Sequence, residues 1–363
     1  MLVADVVSEA SRPAPEVGTR AARRRRRTGV LFGLAGATAA VFVVSLGLGP
    51  VPIAPGDIIT VLLHAHGGDA GGVENGLVIT QLRLPRALLA LLAGAGLAVA
   101  GAAMQAYFRN PLAEPGVTGV ASGAAVGAVT VIVLGAGAVA AWVLPVAAFI
   151  GAAAVLVVIQ LIALVARDRS PVTVLLLGIA MNAFCGAVTG AIVANADDSQ
   201  TVRGALFWLQ GDLTSASWND LALVAVPAVL GIACLSGMTR ELNALLLGDE
   251  TAESMGVSVA RVRAALLVLS AVIVGGVVAV TGVIGFVGLV APHAVRLMLG
   301  SDHRSLLPGA AMLGGMFLVA ADTVARLAPG GGSWQTGIVT ALVGAPVFVV
   351  LVLRTRGIAR RAA

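Results

Sequence analysis

Long apolar stretches separated by short polar loops make up almost the whole chain. Ten of them approach the ~20 residues a helix needs to cross the hydrocarbon layer of a bilayer. They lie at 29–49, 84–106, 117–136, 141–166, 171–194, 219–238, 260–282, 284–299, 306–327 and 336–353. The stretch at 284–299 is short, and its boundary with the stretch before it is the least defined. Segments of alternating hydrophobicity about ten residues long are absent, which excludes an outer-membrane barrel. The pattern predicts an all-α membrane protein of about ten transmembrane helices. It divides the chain into an arginine-rich tail at 1–28, a polytopic transmembrane domain at 29–354 and a short tail at 355–363.

Composition sharpens this picture. Of 363 residues, 58% are hydrophobic and 11% charged, and all 23 basic residues are arginine. Without lysine there is no Gly-x-x-x-x-Gly-Lys loop, whose lysine reaches the terminal phosphates of a nucleotide. Any ATP hydrolysis linked to this chain therefore belongs to another chain. The formal charge of +5 does not indicate nucleic acid, because the arginines sit between apolar stretches and not on one face of a soluble domain. Cys185 and Cys234 both fall inside apolar stretches and read as buried small hydrophobes.

Cytoplasmic loops collect arginine. With the N-terminus inside, ten spans place 19 arginines on the cytoplasmic side and leave four outside: Arg83, Arg86, Arg203 and Arg326. Both termini are expected in the cytoplasm and the protein in the cytoplasmic membrane. The run Arg23 to Arg27 imitates a secretory signal, but nine further spans favour its retention. No acidic residue lies at the middle of a span. Asp322 comes nearest, four residues before Arg326 on one helical face, where it is expected to cap or pair. Ion-coupled carriers usually bury carboxylates or broken helices at the midplane, so this pattern disfavours one.

Three loops carry information. Phe108 to Gly116 holds Pro111 and Pro115, which interrupt a helix and turn the chain. The loop 239–259 contains Leu245-Leu-Leu-Gly-Asp-Glu-Thr-Ala-Glu-Ser-Met-Gly256. Asp249 is expected as N-cap of a short surface helix, Gly256 as its terminator, and Leu246, Leu247, Ala252 and Met255 as partner-facing positions. In Gly282 to His293, the histidine is expected to be a satisfied structural hydrogen-bonder. His64 and His66, with Asp69 nearby, supply too few ligands for a convincing metal site. No catalytic constellation is present.

Together these segments closely resemble permease subunits of the FecCD family, the membrane parts of ATP-binding-cassette importers for ferric siderophores, haem and vitamin B12. The resemblance is carried by Leu82-Arg-Leu-Pro-Arg86, Gly101-Ala-Ala-Met-Gln105, Arg109-Asn-Pro-Leu-Ala-Glu-Pro115 and Leu247 to Gly256. It continues through Gly285 to His293, Asp302-His-Arg304 and Gly337 to Pro346. It implies a homodimer or heterodimer of ten-helix protomers, two cytoplasmic ATPase subunits that carry the ATP and Mg, and an extracytoplasmic binding protein. This chain itself is expected to bind no cofactor and no metal.

By the same resemblance, Arg83, Arg86 and Arg326 meet acidic residues of the binding protein. Gly248, Asp249, Glu250, Ala252, Met255 and Gly256 form the segment that couples to the ATPase. Asn110, Pro111 and Leu112 form one cytoplasmic gate, and Ser170, Pro171, Val172 and Thr173 a second, matched by position more than identity. Ser333-Trp-Gln-Thr-Gly337 departs from the family's Glu-Leu-Pro before that glycine. An iron chelate, siderophore or haem, is the first expectation for the cargo and cobalamin the alternative. An ion-coupled secondary transporter is the rival class.

Overall fold

The computed structural model describes residues 17–49, 51–64, 76–138, 140–168, 170–328 and 334–362. The positions His66, Asp69, Arg169 and Ser333 lie outside the described residues, as does the chain before Val17. Every regular element among the described residues is helical.

Chain order runs α1 (Val17–Gly47), α2 (Pro55–His64), α3 (Leu84–Tyr107), α4 (Val120–Val133), α5 (Val143–Val165), α6 (Pro171–Ala194) and α7 (Ser199–Leu209). It continues with α8 (Trp218–Gly237), α9 (Thr239–Leu245), α10 (Asp249–Ser254), α11 (Val259–Thr281), α12 (Val287–Leu299), α13 (His303–Leu327) and α14 (Thr336–Ala362). Among the described residues, seven helices are long and apolar enough to cross a membrane, and three shorter apolar helices, Val120–Val133, Val287–Leu299 and Thr336–Leu351, accompany them. These match the ten apolar stretches in order, and the protein is a multi-pass membrane protein.

The arginine run Arg23 to Arg27 lies within α1. Amphipathic α7, capped by Asp198, and the short α9, which precedes the expected surface helix in the same loop, fall at positions where no helix was expected. A π-helical turn, Val78–Arg83, leads into α3. Pro85 lacks a donor at the first turn of α3, so widening the ladder there costs little.

α3 is the hub. The Val78–Tyr107 span is 78% buried over its apolar window, against 22% for Pro171–Ala194. Alanine and glycine on α3 let neighbouring backbones come close, which is how helices gain contact where lipid removes the hydrophobic drive. At Gly101 an added Cβ would lie 1.9 Å from the Gly288 carbonyl oxygen of α12. The outer faces of α5, α6 and α8 expose Leu161, Leu176, Phe184 and Leu230. Cys185 is buried, but Cys234, expected to be buried as well, is exposed on α8.

Candidate functional site

Two polar assemblies stand at opposite ends of the helices. At the arginine-poor end, Arg86 and Arg326 pair with Asp322, and Arg83 lies near Arg326. Arg86 Nε donates to both carboxylate oxygens at 2.9 and 3.0 Å and its Nη2 to Oδ1 at 2.8 Å. Arg326 Nε donates to Oδ2 at 3.2 Å, one turn away on α13, and the Thr336 hydroxyl to Oδ1 at 3.1 Å. Asp322 therefore pairs near its helix end, as its spacing from Arg326 predicts.

The remaining donors of Arg83 and Arg326 close the C-terminus of α1, whose last carbonyls have no partners within the helix. Arg83 Nη1 donates to the carbonyls of Leu46 at 2.7 Å and Gly47 at 3.1 Å, and its Nη2 to that of Val51. Arg326 reaches the carbonyls of Leu48 at 2.8 Å and Ser45 at 3.0 Å. Positive charge at a helix C-terminus is also favoured by the macrodipole. Arg83 is buried, with 7% of its surface exposed, so it is not an outward-reaching side chain. Arg86 Nη1 makes no hydrogen bond to the described residues. Arg203 stands apart, exposed on α7.

At the arginine-rich end, the segment from Gly248 to Gly256 forms α10. Its N-cap is Gly248, not Asp249: with φ at 105° the chain enters the helix through a conformation that suits glycine. Asp249 instead occupies the first helical position, where its carboxylate accepts from Arg109 at 3.0 Å and Arg263 at 2.9 Å. Arg263 also lies over the Tyr107 ring, 5.8 Å from its centroid. Ala252 is fully buried against the protein, so it is not partner-facing, whereas Leu246, Leu247, Met255, Glu250 and Gly256 are exposed. Gly256 ends the segment with φ at 81°.

Both expected gate segments flank α10. Arg109 is the residue before Asn110, Pro111 and Leu112, all exposed; Asn110 Oδ1 accepts the Leu112 N–H at 2.9 Å and closes a tight turn. On the other side, Ser170 and Thr173 open α6, with Ser170 as N-cap and Pro171 at the first helical position. Asp168 accepts from the Ser170 N–H and the Thr173 hydroxyl, and these bonds hold its carboxyl below the usual carboxylate range. Val172 is exposed. A cavity of about 260 Å³ runs from Ser170 to Asp249, Glu253 and Arg263.

Glu114 is a residue that sequence reasoning passed over, although it sits inside Asn-Pro-Leu-Ala-Glu-Pro. Its Oε1 accepts the Phe286 N–H at 2.7 Å at the start of α12, where Phe286 has a left-handed φ of 67°. Burial pushes the Glu114 carboxyl up, and the Phe286 bond pulls it partly back. His293 is buried, and its ring lies beside the Pro111 backbone of the first gate segment. Among the described residues no group of histidine, cysteine and carboxylate side chains is arranged to hold a metal.

A multi-pass bundle of this order, with a capped surface helix wedged between two loop segments, defines a transporter membrane subunit. Comparison with known proteins agrees. The chain belongs to the FecCD transport family, whose model matches residues 37–354. It is 44% identical over 280 residues to the cobalamin import system permease protein of Halobacterium salinarum, covering 77% of this chain and 74% of that one. Identity to the hemin transport system permease protein of Yersinia pestis is 44% over 281 residues, 76% of this chain and 83% of that one. The vitamin B12 import system permease protein of Klebsiella pneumoniae is 39% identical over 337 residues, 92% and 96% of the two chains. A solved structure described as an inward-facing metal-chelate type ABC transporter superposes with a TM-score of 0.79 at 32% identity, covering 90% of this chain and 99% of that one. The family comprises membrane permease subunits, with the ATPase on a partner chain.

Proposed function

We propose that this chain is the permease subunit of an ATP-driven importer that moves a metal chelate across the cytoplasmic membrane, with both termini in the cytoplasm. The observation that carries the mechanism is the position of Asp249. One carboxylate joins the exposed α10 to Arg109 beside the first gate and to Arg263 on α11, while the cavity beside it reaches Ser170 of the second gate. Movement of α10 by a bound ATPase is thereby passed to both gate segments. ATP drives such a cycle only if it binds the two gate states with different affinity.

The assembly is a pair of permease protomers, two cytoplasmic ATPase subunits that bind ATP and Mg, and an extracytoplasmic binding protein. Around Asp322, three guanidiniums and one carboxylate leave a net charge of +2 at the outer end, which suits an acidic docking surface. Arg86, with Nη1 free, is the member placed to reach it; Arg83 and Arg326 support the surface from inside.

Two relatives at the same 44% identity are a cobalamin and a hemin permease, which widens the iron-first expectation to metal macrocycles of either kind. The test is uptake of labelled cobalamin, haem and a ferric siderophore into vesicles holding the reconstituted complex. Uptake of one chelate that needs ATP, the ATPase and the binding protein supports the proposal. Uptake that persists without the ATPase and collapses with an uncoupler overturns it.

A further inference from the structure

We infer that the arginine-rich end carries a binding site for the phosphate headgroup of an anionic phospholipid, built between α1 and the last turn of α12. A cavity of about 280 Å³ there is lined by Arg26, Arg27, Arg296, Leu297, Met298 and Gly300 among others. Nη1 of Arg296 is buried without a hydrogen-bond partner. A buried guanidinium donor left unpaired is costly, and the Arg296 side chain also lines the cavity, where an anion would add charge-assisted hydrogen bonds to its guanidinium group. Arg27 is already engaged, donating to Asp302 at 2.9 Å, and Asp302 also accepts from the Asn243 amide at 3.0 Å. Three guanidiniums against this one carboxylate leave a net charge of +2 around the cavity.

Depth and lining choose a lipid over a free anion. From Arg27 to Gly47 the helix climbs about 30 Å, one hydrocarbon thickness, so Arg26 and Arg27 stand at headgroup level when Gly47 reaches the opposite surface. The same cavity is walled by Leu297 and Met298, both large, apolar and exposed. A charged mouth with an apolar wall fits a phosphate and the start of its acyl chains. Basic pockets between helices on the cytoplasmic side recognise anionic headgroups through this combination. Arg26 and Arg27 lie before residue 37, where the family match begins, and Arg296 lies within it. It does not depend on the cargo.

The test uses the full-length chain purified in a neutral detergent. Phosphatidylglycerol and phosphatidylcholine are titrated separately while bound lipid is counted by native mass spectrometry and the melting temperature is followed. Phosphatidylglycerol is expected to remain bound and raise the melting temperature, and phosphatidylcholine to do neither. Each of Arg26→Gln and Arg296→Gln is expected to weaken phosphatidylglycerol binding about fivefold, the worth of one arginine at a charged interface. Arg203→Gln, far along the chain and exposed, is expected to leave it unchanged. Arg26 is exposed, so its variant decides the matter even if Arg296→Gln does not fold. Equal binding of the two lipids, no loss in Arg26→Gln, or full displacement of phosphatidylglycerol by millimolar inorganic phosphate would overturn the proposal.

Discussion

Arg109 and Asp249 stand 140 positions apart in sequence and are joined by an ion pair of 3.0 Å. The pair connects the turn Asn110 to Leu112 with the first turn of α10. Both side chains are more than a third exposed, so the contact adds about 1 kcal/mol or less to stability. Its importance is mechanical.

Replacing Arg109 with Gln is therefore expected to leave the fold and the basal ATPase rate of the complex nearly unchanged. Substrate moved per ATP hydrolysed should fall several-fold. Parallel assays of phosphate release and vesicle uptake check this; a proportionate loss of both would show that the pair does not transmit motion.

Asp322 has the opposite character. Only 3% of its side chain is exposed, and it compensates two arginines that are themselves mostly buried. Asp322→Asn leaves both without their charge partner and should cost about 3–5 kcal/mol. Arg86→Gln should cost less in stability while reducing affinity for the binding protein. Melting curves together with binding titrations separate the two effects.

Close helix contact gives a third expectation. Gly101→Ala drives a methyl into the Gly288 backbone and should destabilise by at least about 1–3 kcal/mol. Gly33→Ala, where a Cβ meets nothing within 4 Å, should be neutral or slightly stabilising. Thermal unfolding of the two variants gives the comparison directly.

Glu114 sets a pH dependence. Its folded carboxyl titrates above the ordinary glutamate value, so the protonated form is favoured by folding. The associated stability is fully present below the unfolded value, near about pH 4.3, and is lost as pH rises through the elevated folded value. Glu114→Gln keeps an oxygen for the Phe286 N–H but cannot ionise. Its melting temperature relative to the parent protein should rise as the pH is raised above the ordinary glutamate range, and a constant difference would refute the assignment.

Sequence pattern reveals the spans because lipid imposes a uniform demand for apolar length on each of them. It also isolates Arg83, Arg86 and Arg326, since each breaks the loop bias. What it does not reveal is how their donors are satisfied. Acceptors such as the carbonyls of Leu46 and Ser45 are present in every residue and carry no compositional mark. Asp249 shows the same limit locally: an aspartate before a short helix has the chemistry of an N-cap, but the left-handed Gly248 takes that place and frees the carboxylate for two distant arginines. Ala252 looks available on a polar helix because its neighbours are polar, yet the helix turns that face inward.

Arg27, inside α1, and the C-terminus of α1 are fastened differently from the stretch between them. Arg27 is clamped to Asp302 at one end, and Arg83 and Arg326 seize the carbonyls at the other. Between them Gly29, Gly33 and Gly36 face open space, and Thr38 reaches the Met312 carbonyl at 3.2 Å. Such a helix tolerates many changes of composition but few of register. Removing one residue between the clamps rotates one end by about 100° against the other, and no rearrangement of side chains restores both. Sequence drift in this segment should thus run through substitutions, with insertions and deletions confined to the loops beyond the clamps.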